Sequence, residues 1–483
     1  MPVIARFRWL MSVALALTLS LMFVFSSIVY ASVAVSSSVT LTRLSHDIYT
    51  NANSQHQTEV EPDTFSFGST IVSAFQVGRF PAPDGGSDNI GWATSTNSGG
   101  SWSHGFLSGI TKIAGGSYSR VSDPVVTYDA RHKIWMIVSI AFDTASPGTN
   151  AILVSRSTNG GLTWVNPVPV HVQGPPSILD KPWIVCDNTT SSPHYGNCYV
   201  EWDDANQGKL IFMSTSTNGG TIWGSPKTTA TPKAHGVGGQ PLVKSNGNVI
   251  VPIDNASMTG VLVFTSTDGG KSWGAATSLS DIKFHQPAGG LRADPFISAS
   301  MDRAGTVYIV WADCRYVTNC AANQIVLLTY SGSTTLSVVK SISIDQPNSI
   351  LPDFMIPNIA VDKATSGSTV HLKLTYYYYP VANCNSSCDL DVDFFSCIGT
   401  TCTSQLQLAG PMKLTWLPKT DHGVLTFCLP ACRMVGDYIS TSIVNGKVFP
   451  VFATANAPAV GTDCSAAGAV CQEAIFTVAG GLS

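Results

Sequence analysis

Charge is what this sequence has least of. Only 12% of its 483 residues are Asp, Glu, Lys or Arg, and the formal net charge is −4. That is about half the usual charged share. No long basic run exists, so the electrostatic footprint of a nucleic-acid binder is missing. No apolar segment after residue 29 is long enough to span a membrane. Outside the N-terminal segment there is no helical period of any length. There is no H-E-x-x-H, and no Cys or His spacing gives a four-ligand set, so no metal held by thiolates is expected. What is present is 44% hydrophobic residues and abundant Gly, Ser and Thr. That mixture suits many short strands joined by tight polar turns.

The N-terminus carries Arg6 and Arg8, an apolar run from Leu10 to Val29, and small residues at Ala31, Ser32 and Ala34. It reads as a secretory signal peptide over 1–34, with an uncleaved anchor as the runner-up. The remainder, 35–483, reads as one domain. Twelve cysteines fall mostly into close pairs: 186/198, 314/320, 384/388, 397/402, 428/432 and 464/471. In an exported chain these are expected as local disulfides, with the pairing inside the 384/388/397/402 group left open. Asn188, Asn255 and Asn385 fit the glycosylation sequon.

Four octets repeat: "STNSGGSW" at 95–102, "STNGGLTW" at 157–164, "STNGGTIW" at 216–223 and "STDGGKSW" at 266–273. All fit S-x-[DN]-x-G-x-x-W, and their first serines lie 62, 59 and 50 residues apart. Such a period marks a repeat architecture. Pairs of Val-, Ile- and aromatic-rich runs precede the last three octets, and a shorter strand, usually marked by proline, precedes each pair. These starts are "VEPDTF", "SDPVVT", "DKPWIV", "GQPLVK", "ADPFIS" and "MIPNIA", with "GDYIST" as a seventh. Proline suits the first residue of a strand. Units of roughly sixty residues hold a four-stranded antiparallel sheet each. The last unit has three clear strands, and "AVSSSVTLTRL" near the N-terminus supplies a fourth. The expected fold is therefore an all-β propeller of seven blades, with six as the alternative. Each octet is expected to be a turn: the Asp or Asn bonds backbone amides, the glycine takes positive φ, and the tryptophan packs on neighbouring strands.

The octet at this period resembles the Asp-box, or BNR repeat, of the sialidase superfamily, over about residues 60–480. The resemblance implies a β-propeller that acts on or binds glycans. Sialidases use three arginines on the substrate carboxylate, an Asp acid/base, and a Tyr nucleophile activated by a Glu. In "FQVGRFPAPDGGSDNIGW", Arg79 and Asp84 resemble the arginine and acid/base that precede the first box. In "GDYISTSIVNGKVFPVF", Tyr438 resembles the nucleophile. The family's R-I-P near the start is "VEP" here, Val60-Glu61-Pro62, so its first arginine is missing. Glu201 in "YVEWDD" is the candidate partner of the tyrosine.

Residues shared by every unit are structural by default, and those that break the pattern are candidates for function. Asp143, Asp203, Asp254 and Asp313 end equivalent strands and read as turn formers. Glu61, Asp123, Asp180, Gln240, Asp294 and Asp437 stand at the proline register, where they would form an acidic ring favouring a neutral sugar, a cation or calcium. Arg120, Arg292 and Arg433 sit just upstream of three starts. They either converge on an anion or pair locally with Asp123, Asp294 and Asp437. His235, His285 and His422 read as surface or turn residues. The reading is an exported sialidase-like glycoside hydrolase, secreted or at the cell surface. Asp84 is its acid/base, Tyr438 its nucleophile, Glu201 the base candidate, and Arg79, Arg120, Arg292 and Arg433 bind substrate. Its partner is an extracellular glycan, and no cofactor is required; calcium lacks a clear motif. The alternative is a non-catalytic propeller that binds glycan or protein.

Overall fold

A computed structural model describes residues 39–81, 85–144, 148–332, 337–341, 351–385, 387–399, 401–420 and 431–483. The N-terminal segment 1–34, Asp84, His422 and Cys428 lie outside these. Consecutive strands pair antiparallel into meanders, as the alternating β-branched and aromatic runs require. The first comprises Gln55–Phe67, Thr70–Arg79, Ser87–Ser95 and Ser103–Phe106. The second comprises Arg120–Asp129, Ile134–Phe142, Asn150–Ser157 and Val165–Gln173. Leu179–Cys186, Cys198–Asp204 and Leu210–Ser216 form the third, extended by a bridge from Met213 to Lys227. In the fourth, Gly236–Val237 and Leu242–Val243 share the first-strand position beside Val249–Asn255, followed by Gly260–Ser266 and Thr277–Asp281. Ser298–Met301, Val307–Asp313, Gln324–Tyr330 and Ser337–Ser341 make the fifth. Asp353–Val361, His371–Tyr379, Asp389–Ile398 and Thr401–Lys413 make the sixth.

The seventh meander takes strands from both ends of the chain. Ser440–Val444, Lys447–Ala455 and Glu473–Val478 pair in order, and Leu41–Arg43 adds the fourth strand against Glu473–Val478. This is the strand expected from "AVSSSVTLTRL". Single pairs, Thr58 with Glu473 and Ser87 with Val121, join the first meander to the seventh and the second. Apolar clusters lie between successive meanders: Met136 and Val154 with Val200 and Trp202, Tyr199 and Met213 with Val251 and Phe264, Val310 and Leu327 with Leu372 and Tyr376. Each fully buried aliphatic or Phe side chain in them stabilises by about 1.5–3 kcal/mol.

The four octets adopt one geometry. Ser95, Ser157, Ser216 and Ser266 each accept, on Oγ, the N–H of the glycine four residues on, at 2.8–3.0 Å. Asn97, Asn159, Asn218 and Asp268 accept the amide four residues on, at 2.9–3.0 Å. The octet glycine has positive φ each time and abuts the meander before its own. A Cβ on Gly161 would meet Thr94 and Val72 of the first meander, on Gly220 Met136 of the second, and on Gly270 Tyr199 and Thr215 of the third. On Gly99 it would meet Phe449 of the seventh.

Two expectations are corrected. Proline does not begin the first strands at four of its six starts, though Pro241 directly precedes Leu242–Val243. Pro62, Pro124, Pro182 and Pro357 lie inside them, each at a β-bulge. A bulge interrupts the ladder, so the missing N–H costs nothing there. Disulfides join 186–198, 314–320, 384–388, 397–402 and 464–471, which settles the group left open. Asp203 and Asp254 are fully buried within their strands and not turn formers; Asp254 instead accepts the Ile297 N–H of the next meander, at 3.1 Å. No helix among the described residues is long and apolar enough to cross a membrane.

Candidate functional site

The residue before each bulged proline is the structural key. Glu61, Asp123, Lys181 and Ile356 all take φ between 47° and 53°. Left-handed backbone costs a non-glycine residue about 1–3 kcal/mol, so four instances at one register require a common cause. The bulge re-aims these side chains out of the ladder pattern. Three of them enter one buried polar network.

Lys181 is its centre. Its ammonium donates to Asp123 at 2.8 Å and to Asp437. Arg292 forks onto the same Asp437, from Nε at 2.7 Å and from a terminal nitrogen at 2.5 Å. The Asp437 N–H donates to Glu61 Oε1 at 3.2 Å, Glu61 also accepts from Gln76, and Arg79 donates to Gln76 Oε1 at 2.7 Å. Burial pushes the Asp437 carboxyl up, but Arg292 and Lys181 outweigh it and hold it well below the usual range. Burial opposes the charge on Lys181, and the surrounding carboxylates, Asp123 first, keep it protonated. Burial, then Asp123, raises Glu61 to about 8.

Tyr438 adjoins this network. Its hydroxyl donates to the Pro124 carbonyl at 3.1 Å, and its ring meets Trp183 edge-on, centroids 5.7 Å apart. Burial and the carboxylates Glu61, Asp123, Asp63 and Asp437 raise its pKa well above 10. A cavity of about 20 Å³, large enough for one water, is lined by Asp123, Lys181, Trp183, Gln240, Phe296 and Tyr438. A second, of about 570 Å³, draws Thr64, Val126, Trp183, Leu242, Ser300, Asn358 and Ser442 from the first strands of all seven meanders. These strands therefore share one channel.

The sequence candidates fall in different places. Arg79, Arg292 and Tyr438 belong to or adjoin the network. Arg120 lies over the Phe80 ring, 3.2 Å from its centroid. Arg433 forks onto Asp463 instead of Asp437, at 2.7 and 2.5 Å, although its carbonyl accepts the Arg292 N–H. Glu201 is wholly buried against Gly239, and neither of its oxygens meets a hydrogen-bond partner among the described residues. Burial, then Asp180, raises its pKa well above the usual range. Asp84 lies outside the described residues. Lys181 and Gln76 were not singled out in the sequence. Lys181 was detectable as the one cation directly before a first-strand proline. Among the described residues no group of three His, Cys, Asp or Glu is arranged to hold a metal ion.

No protein-family model matches the chain, and no curated protein does. Solved structures resemble it at low identity. The Hadza microbial sialidase Hz136 is 14% identical, with a TM-score of 0.45, over 66% of this chain and 64% of its own. The Trypanosoma rangeli sialidase bound to the inhibitor DANA is 14% identical, TM-score 0.45, over 74% and 60%. A PL25 ulvan lyase is 10% identical, TM-score 0.47, over 92% and 96%. The chain thus spans less than two thirds of either sialidase. At TM-scores below 0.5 these likenesses assign neither activity nor substrate, and the residues of the site carry the functional argument.

Proposed function

We propose that the chain is an exported, sialidase-like glycoside hydrolase acting on terminal sugars of extracellular glycans at the hub of a closed propeller. Its seven meanders are the blades, four-stranded where the fourth strand is formed. Supporting closure, Gly99 abuts Phe449 as the other octet glycines abut their preceding meanders, and Gly436 abuts Glu61. Residues 1–34 act as the export signal, and the five local disulfides suit an oxidising compartment.

One observation carries the catalytic reading: Tyr438 lines the small cavity with Asp123, Lys181 and Gln240, at the point where the first strands meet. A phenol is a neutral nucleophile that needs its proton removed. Glu61, which accepts the N–H of the neighbouring Asp437 at 3.2 Å, takes that proton in its ionised form. The phenolate oxygen then bonds to the anomeric carbon as the bond to the leaving oxygen breaks. Asp84, by its motif, gives that oxygen a proton. Water later releases the sugar and restores the phenol. The test is turnover of an aryl-glycoside panel. Tyr438→Phe and Asp84→Ala are expected to lower it by about 10²–10⁴-fold; wild-type rates in Tyr438→Phe would discard the mechanism.

A second reading is a glycan binder without turnover. It is favoured by the engagement of Arg292 with Asp437 and Arg433 with Asp463. Saturable glycan binding with no product from any substrate would select it.

A further inference from the structure

We infer that the hub takes an uncharged sugar ring and rejects an anionic one. This rests on the glycan-directed reading above and narrows its substrate class. Every described cation around the small cavity is already committed. Lys181 holds Asp123 and Asp437, Arg292 forks onto Asp437, and Arg79 bonds Gln76 and Thr420. Where a sialidase-like R-I-P would offer a guanidinium, this chain has the apolar Val60, followed by Glu61, fixed in left-handed backbone at a bulge. An incoming carboxylate would have to strip a buried cation from its partner and then lie beside the Asp123 and Asp437 carboxylates. Breaking a buried pair strands an uncompensated charge, and like charges across an interface cost several kcal/mol. A neutral ring meets neither obstacle. Its hydroxyls can donate to Asp123 and to the Gln240 carbonyl oxygen. Its C–H face fits Trp183, which with Gln240 lines both the small cavity and the channel of about 570 Å³ that has room for a ring.

The experiment is calorimetric titration at low salt with methyl β-galactoside and methyl α-arabinofuranoside against the methyl glycosides of N-acetylneuraminic and glucuronic acid. The neutral sugars are expected to bind on the order of 100-fold more tightly than the acids. Asp123→Asn frees Lys181 from one partner and should improve binding of the acids about tenfold, bringing the two classes closer. If that variant does not fold, the titration is run above about pH 8, where Glu61 ionises, with Glu61→Gln, which then removes a charge with little change of shape and should narrow the gap likewise. Equal or tighter binding of the acids by the wild type overturns the inference, as does binding of no sugar at all or a gap unmoved in the folded variant. Neutral sugars bound but never cleaved leave the inference standing and remove the hydrolase reading. Preferential cleavage of the sialoside does the reverse.

Discussion

The octets and the hub are both repeated structures, yet they treat repetition in opposite ways. At the octets the same serine, the same Asx and the same glycine make the same bonds four times. At the hub the same bulge recurs before Pro62, Pro124, Pro182 and Pro357, but it carries Glu, Asp, Lys and Ile in turn. A scaffold gains from identical parts. A site on a quasi-symmetric scaffold needs unlike parts held in like geometry. The left-handed φ of Glu61, Asp123 and Lys181 is a backbone cost shared by the set, while the chemistry differs at each position.

The comparison is broken most forcefully at Asp437. Asp437→Ala leaves Arg292 and Lys181 buried with one fewer shared partner. The expected loss is about 3–5 kcal/mol in chemical denaturation, or failure to fold. Adding Lys181→Met to that variant should recover part of the loss, because these residues act as one unit. A cost below about 1 kcal/mol would reduce the network to a surface ion pair.

This asymmetry also explains what the sequence revealed. The octets are local: each closes its bonds within four residues, so the pattern is visible as a string. The seventh meander was legible too, since an alternating run near the N-terminus needed a sheet edge to join. The hub was not. Lys181 reaches Asp437 across 256 positions, and Arg292 reaches it across 145. Local pairing therefore put Arg292 with Asp294 and Arg433 with Asp437, where the fold makes Arg292–Asp437 and Arg433–Asp463. The proline register located the right segment but not its conformation. A bulge is invisible to period-two reading, and it decides which neighbour of the proline enters the network: Lys181 rather than Asp180 alone.

The next effect tests whether the octets really sit in equivalent corners. Gly99→Ala and Gly161→Ala both impose a Cβ at positive φ, and both meet a side chain of the preceding meander. Each should cost about 1–3 kcal/mol. Gly99 matters most, because Phe449 belongs to the meander that the N-terminal strand completes. If Gly99→Ala were neutral while Gly161→Ala was not, the junction between the first and seventh meanders would be looser than the others.

That junction also has its own titration. Glu59 is buried beside Ser45, whose hydroxyl donates to it at 2.8 Å, with Arg43 at 3.6 Å and the buried Glu473 nearby. Burial raises it from 4.5 to about 8. The folded chain therefore keeps a proton that the unfolded chain releases. Stability is fully present below about pH 4.5 and is lost as pH rises toward 8. The melting temperature should fall across that window, and Glu59→Gln should flatten the fall without abolishing it, since Glu61 titrates in the same direction. A slope unaltered in Glu59→Gln would remove Glu59 from the account.

The smallest effect separates the two regions most cleanly. Ser95→Ala, Ser157→Ala, Ser216→Ala and Ser266→Ala each delete one hydroxyl that accepts a glycine N–H and donates to the neighbouring Asx at 2.9–3.0 Å. Each should cost about 1 kcal/mol. Because every octet closes its bonds on itself, the four costs should agree within about 0.5 kcal/mol and should add in pairs. Pairs at the hub, such as Asp437 with Lys181, should not add. Octet serines whose double variants departed from additivity by more than about 1 kcal/mol would show that the turns communicate through the sheets. The distinction between an independent scaffold and a coupled hub would then fail.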